Sequence, residues 1–190
     1  NDNGSTQDRV KNRTDSFNIL NAVSAEQSIK ETVQTDQTNT FTTDDSYASI
    51  GSEYKHRLSI RTGNSKAINV VAYDNIEASY GSNDHWQGEF MGIDTSFAED
   101  MVDANGKAIK IKTFYSPNDN AGSLGSDNSW QEYIEGTTDK SNVKSIAFQY
   151  LNEDNNSAVL PANAYIYTLI KMKAPTDNDT TSFAYNSFRT

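Results

Sequence analysis

Tyr54-Lys55-His56-Arg57-Leu58-Ser59-Ile60-Arg61 decides the fold. Tyr54, His56, Leu58 and Ile60 fall on one phase of a two-residue repeat, and Lys55, Arg57, Ser59 and Arg61 on the other. That is the pattern of a half-buried strand with a charged outer face. The same period recurs outward in both directions. Ile109 and Ile111 alternate with Lys110 and Lys112, and Ile146, Phe148 and Tyr150 with Ala147 and Gln149. Residues 67–73 are continuous enough for a central strand. Residues 164–172 are apolar on both faces, which predicts a mid-sheet position. Residues 183–188 form the last strand. Polar turn clusters at 61–65, 103–106 and 116–122 separate these runs. The only helical candidate is short, Thr95 to Val102. Many short strands with long polar loops predict an all-β, mostly antiparallel β-sandwich.

Composition sets the class of the chain. Its 190 residues are enough to bury a sizeable core. Asn, Asp, Ser and Thr make up roughly two residues in five, above ordinary usage, and the mean hydropathy is -0.75. Sixteen basic against 26 acidic side chains give a net charge of -10. That balance argues against a nucleic-acid or anionic-membrane partner, which needs clustered Lys and Arg. No apolar run approaches the roughly 20 residues of a membrane span. The chain has no Cys, which excludes catalytic thiol chemistry and, with so much Asn, Ser and Thr, fits exported Gram-positive proteins. Residues 1–21 are polar, with a small apolar cluster at Phe17, Ile19 and Leu20, and read as a linker or the tail of a preceding module. Residues 22–190 then form one domain.

Tyr54 to Ile76, with its Asn69-Val-Val-x-x-Asp74 core, resembles a pattern in Ig-like modules strung along cell-wall-anchored adhesins and pilins of Gram-positive bacteria. Ser28-Ile-Lys-Glu-Thr-Val33 is similar to their first strand, Trp86 to Phe90 and Phe114 to Ser116 to middle strands, and Ala184-Tyr-Asn-Ser-Phe188 to the closing one. The resemblance implies an extracellular, cell-wall-anchored module, structural and adhesive rather than enzymatic, and monomeric. Its partners would be neighbouring modules and a ligand, such as a glycan, on a host or neighbouring-cell surface.

Several proteins of that group carry an intramolecular isopeptide bond. A Lys amine attacks the amide of an Asn, ammonia leaves, and a buried carboxyl carries the protons. By the resemblance, Lys30 is the nucleophile, Asn186 the electrophile and Asp74 the acid. The phase of the residues bears on this: Ile29, Glu31 and Val33 share one face, so an unbroken strand turns Lys30 the other way unless a bulge intervenes. Asn186 shares a face with Ala184 and Phe188.

Other constellations carry less chemistry. His56 and His85 are too few for a metal site, and His56 falls on an inward phase, as a packed histidine does. The oxygen-rich loops 118–128 and 153–156 could hold Ca²⁺ but match no calcium-loop spacing, so neither a metal nor another cofactor is assigned. Trp86 and Trp130 are the alternative: set beside polar turns, they would suit a carbohydrate-binding module if both were exposed on one face, and are core residues otherwise.

Overall fold

The computed structural model describes residues 7–13, 28–76, 86–176 and 183–190. Within these residues eleven strands build two sheets. The smaller contains β2 (Ser28–Gln34), β4 (Glu53–Arg61), β10 (Tyr165–Lys173) and β6 (Glu89–Asp94), in that order and antiparallel throughout. The larger runs β3 (Ser46–Ser49), β1 (Gln7–Arg13), β11 (Phe183–Arg189), β5 (Val71–Asn75), β9 (Ser145–Asn152), β7 (Ile109–Ser116) and β8 (Gln131–Glu132). Among the described residues only the β1–β11 pair is parallel. The chain is an all-β sandwich of mostly antiparallel sheets, as the alternation predicts.

Burial follows the predicted phase. Tyr54, His56, Leu58 and Ile60 of β4 are at most 3% exposed. They meet Ile166, Ile170 and Met172 of β10 within their own sheet. Opposite them, Ala72, Ile146, Phe148 and Tyr150 of the larger sheet complete one continuous core. β10 sits between β4 and β6, the mid-sheet position expected of it. A helix of one turn, α1 (Ser96–Glu99), lies within the expected helical segment.

Two segments differ from the sequence reading. The 67–73 run does not form one strand: Asn69 adopts a φ of 56°, a left-handed conformation that Asn tolerates and that interrupts a strand. Ala67 pairs with Leu160 in an isolated bridge, and β5 starts at Val71. Residues 7–13, within the stretch read as linker, form β1 between β3 and β11. There β1 satisfies backbone groups that β11 would otherwise expose as an edge. With Val10 as its one apolar residue, β1 has no periodicity to betray it. The cluster at Phe17, Ile19 and Leu20, together with His85, lies outside the described residues.

Candidate functional site

Four polar side chains occupy inward positions on four strands, where alternation alone would put apolar residues. Glu31 of β2 and His56 of β4 come from the smaller sheet; Asp74 of β5 and Asn186 of β11 come from the larger. None is more than 3% exposed. Ionic and amide groups withdrawn this far from water are costly unless they meet one another. Here they do. Asn186 Nδ2 donates to Glu31 Oε1 at 2.8 Å and to Asp74 Oδ1 at 2.9 Å. His56 Nδ1 lies 2.9 Å from the same Glu31 oxygen. The Asn186 amide therefore spans the gap between the sheets, joining β2 to β11 across 155 positions of sequence. Edge-on packing of Tyr54 against His56 and against Trp86, at 5.5 and 5.8 Å, walls the cluster on its aromatic side.

Two of the three residues assigned to the isopeptide come together. Asp74 and Asn186 are in contact, but Lys30 is exposed on the outer face of β2, and β2 pairs with β4 from Ser28 to Gln34 without a register shift. No bulge turns the lysine inward. Its backbone carbonyl accepts the Ser59 hydroxyl at 2.8 Å, which fixes the strand locally. The side chain facing Asn186 from β2 is Glu31, an acid in the position where the chemistry requires an amine. On the other flank, β1 aligns Asn12 with Asn186 and Lys11 with Tyr185. The sequence reading placed Glu31 on the inward phase and His56 among packed residues without giving either a role. The available signal was that titratable groups stand on the apolar phase of three separate strands.

The tryptophans do not share an exposed face. Trp86 is 7% exposed and belongs to the core. Trp130 is half-buried; its Nε1 donates to the Gly122 carbonyl at 2.8 Å, and its ring lies 5.8 Å from Tyr73. Tyr73 is one residue from Asp74 on β5 and so points out of the opposite side of the sheet. The two indoles thus sit on different faces of the larger sheet.

The oxygen-rich loops use their acids locally. Asp127 accepts the backbone N–H of Ser129 at 2.8 Å and of Gly122 at 2.7 Å. Asn152 Oδ1 accepts from the backbones of Asp154 and Asn156. Among the described residues there is no group of three or more His, Cys, Asp or Glu side chains placed to share a metal ion. The Ser129 and Gly122 donors hold the Asp127 carboxyl below its ordinary range. Its contribution to stability is therefore present above the unfolded value of about 3.9 and fades as the pH falls through the lower folded value. Asp127→Asn should lower the urea midpoint at pH 7, and the gap to the parent should close below about pH 4. A gap independent of pH would contradict this assignment.

Comparisons with family models, curated proteins and solved structures found no match for the chain. The chemistry of the cluster must therefore be judged on its own geometry. An acid, a second acid, an imidazole and an amide could in principle move protons, but general acid–base catalysis needs them within reach of a substrate. The clefts beside Phe90 and Lys144, and beside Ile111 and Leu151, include none of the four residues in their linings.

Proposed function

We propose that the chain is an Ig-like module of a large Gram-positive cell-surface protein, extracellular and attached to the cell wall through its parent chain. Its role is structural and adhesive, not enzymatic: it spaces or presents a ligand-binding region and abuts neighbouring modules. The observation that carries this reading is the buried Glu31–His56–Asp74–Asn186 cluster. Shut off from substrate, such a cluster acts on the protein itself. It links β2 to the closing strand across both sheets, where tension along the chain would otherwise peel the closing strand away. The Asp74–Asn186 contact also fits the resemblance to self-locking modules, with one departure. Glu31 in place of an amine makes the lock a hydrogen-bonded one.

Single-molecule pulling between residue 28 and residue 190 tests the tensile role. The parent should rupture in one step, and Asn186→Ala should rupture at clearly lower force than Lys66→Ala, an exposed control. Equal rupture forces for the two variants would contradict the tensile role.

A further inference from the structure

The strands that turn Glu31 and His56 inward turn a different set of side chains outward. On the outer face of the smaller sheet stand Lys30 of β2, Lys55, Arg57 and Arg61 of β4, and Lys171 and Lys173 of β10. Register pairs Lys171 with Lys55 and sets Arg61 opposite Tyr165 and Arg57 opposite Leu169. Acids on this face are fewer. Asp94 lies 3.8 Å from Lys171, and Lys173 stands between Glu53 and Glu89 on its two neighbouring strands. Six of the 16 basic residues of a chain with net charge -10 are thus gathered on one sheet face.

An aromatic row runs through the same face. Phe97 of α1 stacks on Tyr167, with ring centroids 3.9 Å apart and planes 16° apart, and Tyr165 follows at 6.0 Å. Phe97 is 38% and Tyr165 36% exposed, uncommon for rings of this size. The arginines are held against these rings. Arg57 lies 4.4 Å from the Phe41 centroid and 5.7 Å from that of Tyr167, and its Nε donates to Thr32. Arg61 lies 5.8 Å from the Tyr165 centroid. A guanidinium resting on a ring loses little further freedom on binding an anion, and its fork matches a carboxylate or sulfate.

We propose that this outer face binds an acidic polysaccharide, with its carboxylate or sulfate groups on Arg57, Arg61, Lys30 and Lys55 and its sugar rings against Tyr165 and Phe97. Alternate residues along a strand stand about 6.6 Å apart, so the cations form a spaced row rather than a dense patch. That spacing suits a polymer bearing isolated charges on bulky rings. Duplex DNA, with one charge per roughly 1.7 Å of axis, is denser in charge than this spacing matches. The proposal goes beyond the structural role and does not depend on it, because none of the cluster residues reaches this face.

The test measures affinity of the whole chain for heparin as the sulfated glycan and polygalacturonate as the carboxylated one. Neutral dextran and a 20-base-pair DNA duplex serve as comparisons. Arg57→Gln with Arg61→Gln, and separately Lys30→Gln with Lys55→Gln, should each weaken binding at least about tenfold at low salt, an effect that added salt erodes in the parent. Lys110→Gln with Lys112→Gln, on β7 of the larger sheet, should leave it within about twofold, since neither stands on the outer face of the smaller sheet. Urea midpoints equal to the parent's certify that each variant is folded. The response to the two glycans separates sulfate from carboxylate recognition. The proposal is overturned if neither acidic glycan binds, if dextran or DNA binds as tightly, or if the Lys110/Lys112 variant loses as much as the other two.

Discussion

Asn186→Ala should cost the fold about 3–5 kcal/mol, the range found when one partner of a buried polar or ionic set is removed and the rest stay behind. Few single changes in this chain should do more. The Asn186 amide bridges Glu31 and Asp74, and both acids are buried. Without it, two carboxyl groups face each other across a small void. Glu31 is badly placed to adapt, because its second oxygen, Oε2, has no hydrogen-bond partner among the described residues. In a chain of this size the loss corresponds to a fall of roughly 10 °C in melting temperature. Urea denaturation followed by circular dichroism measures it. A loss under about 1 kcal/mol, typical of a neutral hydrogen bond between groups that water can re-solvate, would mean that the cluster contributes little.

Glu31→Lys should have an effect of a different kind, turning the hydrogen-bonded lock into a covalent one. The substitution directs an amine toward the Asn186 amide from a position whose present side chain already reaches it at 2.8 Å. Asp74, 2.9 Å from the same nitrogen, is placed to take the amine proton and deliver it to the leaving group. A bond forms between Nζ and the carboxamide carbon, the bond from that carbon to Nδ2 breaks, and ammonia departs. Burial favours the neutral amine that the attack needs. The variant should lose about 17 Da, the mass of ammonia released from an amide by an amine. It should also keep the two strands joined after denaturation. A variant of full mass would show that an amine at this position does not reach a productive geometry.

These two expectations mark where the sequence was legible. Strands with apolar residues on alternate positions declared themselves: β4, β7 and β9 follow the period-two reading, and β10 stands at the mid-sheet position its apolar run predicts. β1, β3 and β8 did not. β1 carries one apolar residue, β8 has two residues, and β3 has four, with Tyr47 turned to solvent. Pairing partners distant in sequence, not local pattern, make these segments strands. At the site, Asp74 and Asn186 were named by the resemblance, and the phase of its strand supported Asn186. The role given to Lys30 came from the resemblance, while the alternation of its own strand pointed it outward, and in the structure the alternation prevails. Glu31 and His56 were visible as polar residues on an apolar phase. Their partnership was not visible, because it depends on how two sheets face each other, which no local period encodes.

The outer face of the smaller sheet carries a related lesson. The net charge of -10 argued against a nucleic-acid or anionic-membrane partner, yet a net charge averages over faces that never meet the same ligand. Once β2, β4 and β10 are in register, the cations of separate strands gather onto one face.

The intact mass of the purified chain under denaturing conditions tests the central claim most directly. A buried lock held by hydrogen bonds, with Glu31 facing Asn186 and Lys30 in solvent, predicts the mass of the sequence to within a dalton. A deficit of about 17 Da, the ammonia lost when an amine takes the amide, would contradict it: some lysine would then have reached Asn186, and the lock would be covalent already.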